Sequence, residues 1–210
     1  MTRFTKSLLI LCCGLLLSLP GYSQVTATAG AANTDTAAKR DNAVAEEKAR
    51  RFFTDLEVID QNGERLRFYS DVLKDRVVLI SFIFTNCEGA CPMVAQKLKQ
   101  TRSLMVESVR DDVWFVSISI DPDRDTPDAM KQFAERQGVD DSRWIFLTGE
   151  KQNLETIIKK LGQYTPDIEA HSTLMLAGNT RTKHWMRVMP MVPPEGIAQK
   201  MRALVEETPG

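Results

Sequence analysis

The order of hydrophobic and polar positions predicts alternating strands and helices from about residue 52 onward. Two runs, residues 76–84 (RVVLISFIF) and 113–120 (VWFVSISI), are almost wholly apolar, which is typical of central strands buried on both faces. Between them, residues 92–109 repeat apolar side chains at helical spacing. A strand, a helix and a second buried strand in this order predict an α/β fold with a parallel central sheet.

The second half of the chain continues the alternation. Thr126 and Pro127 form a favourable N-cap and first-turn pair for a helix that runs to about Gln137, and Gly138 is expected to end it. The following pattern predicts, in order, a short strand, a helix, a hairpin turning at Gly178–Asn179 and a closing helix: residues 144–149, 150–161, 172–188 and 194–206.

An additional hairpin is predicted before the first buried strand. Residues 56–68 (LEVIDQNGERLRF) surround Asn62–Gly63, a dipeptide that favours a tight hairpin turn. Together the elements predict an α/β thioredoxin-like three-layer sandwich with an added N-terminal β-hairpin, and residues 51–210 are assigned to this domain.

The first 23 residues are interpreted as a signal peptide. Arg3 and Lys6 precede an apolar run at residues 7–19 (SLLILCCGLLLSL), which is the length of a signal-peptide core and short for a membrane span. We therefore expect cleavage after Ser23 and a periplasmic or otherwise extracytoplasmic protein. An uncleaved N-terminal anchor is the alternative, and it is the membrane attachment that the sequence allows.

Residues 24–50 are rich in alanine, threonine, asparagine and charged residues and have few large apolar ones. This composition predicts a disordered linker or tether, with helical character towards its end (AVAEEKARR). The overall composition, 43% hydrophobic with a net charge of −1, is sufficient for a packed core and shows no basic footprint for nucleic acid.

Cleavage of the signal would leave Cys87 and Cys91 as the cysteines of the mature chain, because Cys12 and Cys13 lie within residues 1–23. One close pair does not make a disulfide-stapled scaffold. The pair follows a buried strand and lies where a helix begins, with Pro92 in its first turn. Free N–H groups and the helix dipole there predict a lowered pKa for both thiols.

The spacing C-E-G-A-C leaves three interpretations of this pair open. An inert disulfide, a redox pair one residue longer than the usual C-x-x-C, and two ligands for a soft metal such as Cu(I) are all compatible with it. A metal would need further ligands, and the chain has two histidines. His171 precedes a predicted strand and is expected at the same sheet edge as the cysteines, whereas His184 falls inside the hairpin.

Two other groups of residues have ordinary structural explanations. In DPDRDTP, Asp121 and Asp125 surround a strand end and a helix start, so they are expected to shape the electrostatics of the site but not to bind Cu(I), because carboxylates are hard donors. Met189 and Met191 beside Pro190 carry soft thioethers, but packing or an exposed loop contact is favoured over copper binding.

Three segments in this order resemble the Sco/SenC family: FIFTNCEGACPM, SISIDPDRDTPDAM and HSTLML. The resemblance covers residues 52–206 and implies a thioredoxin-fold copper-binding protein that assists copper delivery to cytochrome c oxidase. It implies Cys87, Cys91 and His171 as the ligands of a copper ion, Cu(I) or Cu(II). The family usually has aspartate before the histidine, where this chain has Ala170, so a carboxylate that orients the imidazole is expected to be missing or moved.

The resemblance favours a metallochaperone whose partner is a copper-acceptor protein, expected to be an oxidase subunit. The alternative is a thiol–disulfide oxidoreductase in which Cys87 attacks and Cys91 resolves, served by a thiol-reducing partner. A peroxidase ranks last, because Thr85 is two residues before Cys87 and not three. A binding module with an inert disulfide is the remaining alternative.

Overall fold

The computed structural model describes residues 31–168 and 171–208, so the predicted signal peptide lies outside the described residues. Contacts divide the chain into two compact units, Met1–Asp41 and Asn42–Gly210. The described part of the first unit is the beginning of helix α1 (Ala31–Phe53). In the described ranges, no helix combines the length and the apolar character that a membrane span requires.

The second unit contains a seven-stranded sheet within the described residues. In chain order, its strands are β1 (Glu57–Asp60), β2 (Arg65–Arg67), β3 (Val77–Ile83), β4 (Val113–Ser119), β5 (Trp144–Thr148), β6 (Met175–Asn179) and β7 (His184–Val188). The helices that follow α1 are α2 (Ala90–Leu104), α3 (Glu107–Asp112), α4 (Pro127–Gln137), α5 (Lys151–Lys160) and α6 (Pro194–Glu206), and a π-helical segment covers Phe68–Leu73.

The strand order across the sheet is β2-β1-β5-β4-β3-β6-β7. The three central strands β5, β4 and β3 run parallel, while β1 and β6 pair antiparallel on either side of them. All seven residues of β3 are buried, as the continuous apolar run predicted. The sheet confirms the α/β thioredoxin-like fold, and the pairing of β1 with β2 confirms the added hairpin.

A separate hydrophobic core covers each face of the sheet, which gives the predicted three layers. Helices α2, α4 and α6 pack on one face, and α5, the π-helical segment and the end of α1 pack on the other. Strand side chains alternate between the two cores: Leu79 and Phe115 face the first, and Val78 and Ile80 face the second.

The predicted boundaries of α4 are confirmed in detail. The Thr126 side chain accepts a hydrogen bond from the backbone N–H of Ala129 at 3.2 Å, and Pro127 is the first helical residue. Gly138 ends the helix with φ of 63°, a left-handed conformation that glycine adopts without strain.

The structure differs from the sequence expectations at two helices. Most of the predicted linker is helical from Ala31, and its last turns are held by ion pairs such as Arg50–Glu46 and Lys74–Glu46. The predicted helix at residues 92–109 is broken at Met105, which is extended and buried, so that α3 is a separate helix.

The predicted turn at Gly178–Asn179 is wrong, because both residues belong to β6. Asn179 is buried and donates from its side chain to the carbonyl oxygen of Leu204 at 2.7 Å, which fixes it within the sheet. A Cβ on Gly178 would lie 2.4 Å from the ring of Trp185. The glycine therefore permits close packing beneath an indole and does not mark a turn.

Gly178→Ala is expected to lower the free energy of unfolding by about 1–3 kcal/mol, the usual cost of overpacking a filled site. Urea denaturation would measure it. The same substitution in a Trp185→Leu background should cost clearly less, since the clashing ring is gone. Equal losses of stability in both backgrounds would show that the Trp185 ring does not explain the glycine at position 178.

Candidate metal centre

The two cysteines lie in the connection from β3 to α2. The segment leaves the sheet at Phe84, whose carbonyl oxygen accepts a hydrogen bond from the N–H of Cys87 at 3.2 Å. Cys91 is the second residue of α2 and is buried, while Cys87 is partly exposed. Both thiols are free, and the N–H of Cys91 donates to the sulfur of Cys87 at 3.4 Å.

The helix start favours a thiolate at Cys87. Partial burial by itself would raise the pKa of the Cys87 thiol, but the N–H groups of Cys91, Gly89 and Ala90, with the Cys91 thiol, outweigh it. The resulting pKa lies below the ordinary value, as predicted. Cys87 is therefore the more readily deprotonated of the two thiols.

The predicted low pKa of Cys91 is wrong. Burial raises the pKa of this thiol to about 12, and the neighbouring Cys87 and Asp125 add to the increase, against a weaker lowering contribution from the backbone of Phe84. The helix start does not compensate, because its free N–H groups are directed at Cys87. Two cysteines in one loop thus have opposite acidities.

His171 meets the cysteine pair across 80 positions of sequence. Its Nε2 lies 3.9 Å from Sγ of Cys91, and its ring packs edge-on against Phe84 with centroids 5.4 Å apart. Nδ1 lies 2.8 Å from the carbonyl oxygen of Ile168. Because that oxygen can only accept, Nδ1 carries a proton, and in the neutral imidazole this leaves the lone pair on Nε2, which faces the cysteine.

The contact with Ile168 shows what orients the His171 ring in place of the aspartate that Ala170 replaces. A metal-binding histidine is usually oriented through its second nitrogen by a carboxylate or a backbone carbonyl. Here the carbonyl of Ile168 accepts from Nδ1 and so fixes the orientation of the ring. Sequence reasoning missed it, since any residue supplies a carbonyl and no side-chain pattern marks it.

His184 is not part of this site. It pairs across the sheet with Asn179, which in turn pairs with Val77 at the beginning of β3. The cysteines follow the other end of β3, so His184 and the cysteines lie at opposite ends of the strands. There its Nδ1 forms a hydrogen bond with Glu207.

Asp125 anchors the cysteine loop from the second predicted motif. One carboxylate oxygen accepts from both the N–H and the hydroxyl of Thr85, at 2.9 and 2.6 Å, and the other accepts from Ser119 at 2.6 Å. The side chain is 1% exposed. Burial raises its pKa, while the hydrogen bonds of Ser119 and Thr85 oppose that shift. Its effect on the pKa of Cys91 matches the expectation that it shapes the electrostatics of the site.

Among residues 31–168 and 171–208, no three histidine, cysteine or acidic side chains already converge as a closed metal cage. Cys91 and His171 are in contact, but the sulfur of Cys87 is turned towards the N–H groups of α2.

Comparison with known proteins places these residues in a family context. The SCO1/SenC family model matches residues 44–206 of the chain. A curated relative, the SCO1 protein homolog of Bacillus subtilis, is 39% identical over 95 residues, which are 45% of this chain and 47% of that protein. The matched region thus spans about half the length of such curated relatives.

Solved structures resemble the fold over a longer range. Bradyrhizobium japonicum ScoI with copper bound is 25% identical, with a TM-score of 0.59 over 70% of this chain and 96% of that one. BsSco, described as a member of the Sco family of cytochrome c oxidase assembly proteins with a disulfide switch, is also 25% identical. Its TM-score is 0.61, over 74% of this chain and 94% of that one.

The two thiols should differ in their reaction with iodoacetamide. Cys87 is expected to be alkylated at a lower pH than an ordinary thiol, because its thiolate forms earlier, whereas Cys91 should stay unreacted across the pH range in which the protein is folded, because burial raises its pKa and covers its sulfur. Fragmentation mass spectrometry of the peptide that contains both cysteines, which locates the label, would measure this across a pH series. Cys87→Ser and Cys91→Ser are the matched controls, and equal pH profiles for both thiols would contradict the asymmetry.

Asp125→Ala is expected to destabilise the fold by about 1–3 kcal/mol, the cost of leaving buried hydrogen-bonding groups unsatisfied. Asp125→Asn should cost less, because the amide oxygen can still accept from Thr85. Urea denaturation would rank the two variants. If alanine and asparagine cost the same, the contacts with Thr85 do not stabilise the loop.

Proposed function

The chain belongs to the SCO1/SenC family, and on this premise we propose that it is a copper metallochaperone. In this proposal Cys87, Cys91 and His171 bind the ion and deliver it to a respiratory copper enzyme such as cytochrome c oxidase. The single observation that carries the proposal is the 3.9 Å contact between Nε2 of His171 and Sγ of Cys91. It joins two motifs of the family that are 80 positions apart.

The chemistry of the donors supports copper as the cargo. Two thiolates and a neutral imidazole form a soft to intermediate donor set, which suits Cu(I) and also permits Cu(II) with a weak further ligand. The solved ScoI structure with copper bound is consistent with that choice. Nε2 of His171 is already directed at the site, so little ordering of the imidazole is required on binding.

The unequal thiols suit an ion that is carried and then released. Cys87 offers a thiolate readily, but Cys91 must lose a tightly held proton when the metal binds, since burial raises its pKa to about 12. Proton competition therefore weakens binding relative to two acidic thiols. The partly exposed Cys87 is where the ligand of a docked acceptor could replace a ligand of this protein.

The same asymmetry favours thiol–disulfide exchange as the second candidate function. The Cys87 thiolate would attack a partner disulfide and form a mixed disulfide, releasing one partner thiolate. The Cys91 thiol would then lose its proton and attack the Cys87 sulfur, which frees the second partner thiol and leaves a Cys87–Cys91 disulfide. A thiol-reducing partner would restore the pair. Such a reaction could keep the copper-site cysteines of an acceptor reduced.

We propose an extracytoplasmic location for either activity. The apolar run at residues 7–19 after Arg3 and Lys6 supports export. The copper-acceptor partner is proposed to be an oxidase subunit, which the description of BsSco as an oxidase assembly protein supports.

His171→Ala separates the two candidate functions. It should weaken copper binding by more than about 100-fold, because even an outer partner of a ligand is typically worth about 10–100-fold. Disulfide exchange should remain nearly unchanged, since it uses only the cysteines. Copper titration of the reduced protein with absorption and spin-resonance spectra would measure the first, and reduction of a model disulfide the second.

His184→Ala is the matched control for this experiment, because that histidine lies at the opposite end of the strands. It should leave both activities unchanged. Undiminished copper affinity in His171→Ala would refute the three-ligand site.

A further inference from the structure

The methionines of the described residues divide sharply by exposure. Four of them are buried in the cores: Met105, Met130, Met175 and Met201. Met186 is partly buried against the core. The exposed ones are Met93, Met189 and Met191, at 72%, 46% and 75% exposure. Packing, one of the explanations that the sequence favoured for Met189 and Met191, does not account for side chains this exposed.

All three exposed methionines lie at the sheet edge that carries the cysteines and His171. Met93 is in the first turn of α2, two positions after Cys91. Val188, the last residue of β7, pairs with Met175, which is four positions after His171. Residues 189–191 therefore leave the sheet at the edge where the His171 segment enters it.

A rigid turn presents two of the thioethers. The carbonyl oxygen of Met189 accepts from the N–H of Val192 at 3.0 Å, which closes a β-turn with Pro190 at its second position. The side chain of Val192 packs against the core. Met189 and Met191 are thus held on either side of a conformationally restricted proline.

The same turn is tied to the helix that carries Met93. Lys97 of α2 donates from Nζ to the carbonyl oxygen of Pro190. Met93 and Lys97 are four positions apart and so lie on one face of the helix. The turn is therefore tied to the helix face that Met93 and Lys97 share, one helical turn from Met93.

Exposed thioethers in this position have a chemical use that exposed aliphatic side chains lack. Thioether sulfur is a soft, neutral donor that binds Cu(I) and discriminates against harder ions such as Zn²⁺. It carries no proton, so metal binding releases none. Large exposed apolar side chains gathered beside a site also indicate a functional surface and not a stabilising one.

We propose that Met93, Met189 and Met191 form a second, weaker Cu(I) site at the rim of the metal centre, through which the ion passes to or from the cysteines. This inference rests on the proposed copper function and extends it. The step involves no electron transfer: copper stays Cu(I), thioether–copper bonds break, thiolate–copper bonds form, and the Cys91 proton passes to solvent.

The site can be tested apart from the cysteines. In a Cys87→Ser/Cys91→Ser chain with methionine methyl groups labelled with ¹³C, Cu(I) under anaerobic ascorbate, or Ag(I) as its redox-inert substitute, should shift the methyl resonances of Met93, Met189 and Met191. Met186 is the internal control and should not shift. Unshifted resonances, or equal shifts with Zn²⁺, would overturn the proposal.

The passage of Cu(I) from the three methionines to the cysteines is tested in the chain with intact cysteines. Met93→Leu/Met189→Leu/Met191→Leu preserves volume and apolar character, so the fold and any apolar docking surface should persist. Final copper affinity at the cysteines should be unchanged, while Cu(I) transfer from a soluble chelator should slow about tenfold, equivalent to about 1.4 kcal/mol in the barrier. Met186→Leu is the matched control, and an unchanged transfer rate in the triple variant would overturn the proposed passage of Cu(I).

The two experiments distinguish the failure of each proposal. Methyl shifts in the cysteine-free chain, with no copper binding at Cys87, Cys91 and His171 in the intact chain, would support the thioether site and refute the metallochaperone centre. Tight copper binding at Cys87, Cys91 and His171 without methyl shifts would support the metallochaperone centre and refute the thioether site.

Discussion

The burial of β3 between β4 and β6 is the constraint on which the rest of the structure depends. All seven side chains of this strand are buried, and it pairs parallel on one side and antiparallel on the other. An antiparallel neighbour begins where β3 ends, so the cysteine loop after β3 and the histidine before β6 meet at one edge. The pairing of β7 with β6 returns the chain to the same edge. The sheet register, and not the loop sequences, thus assembles the site.

Within that site, the direction of the neighbouring N–H groups and the depth of burial determine the pKa of each thiol. The N–H groups at the start of α2 are directed at Cys87, while Cys91 extends into the core. Asp125 holds the loop through Thr85, but as a nearby carboxylate it also opposes ionisation of Cys91. The Cys87 thiol therefore ionises readily, whereas the Cys91 thiol keeps its proton. This division is compatible with both proposed functions, stepwise metal loading and the attack and resolution of disulfide exchange.

The donors at this edge also change with depth. Exposed thioethers lie outermost, the partly exposed Cys87 and His171 lie next, and the buried thiol of Cys91 lies innermost. A soft ion moving inward would exchange neutral donors that carry no proton for donors whose binding must displace one. In the proposed function, such a gradient would separate capture of the ion, which benefits from accessibility, from its retention, which benefits from burial and charge.

Much of the fold could be predicted because local patterns carry it. The apolar runs identified β3 and β4, Thr126 and Pro127 identified the start of α4, and Asn62–Gly63 identified the hairpin. Local patterns failed where a long-range contact decided the conformation. Gly178 serves the packing of Trp185 and not a turn, and the buried Met105 breaks a continuous helical pattern.

For the site, the sequence by itself determined the candidate residues: the cysteine pair, its position between a strand and a helix, and His171 as the histidine before a strand. The tertiary structure decided what those residues can do. It placed Nε2 of His171 beside Cys91, supplied the carbonyl of Ile168, and gathered the exposed methionines at the same edge. It also reversed the expected acidity of Cys91, because a pKa depends on burial and on the direction of neighbouring N–H groups, which residue spacing does not contain.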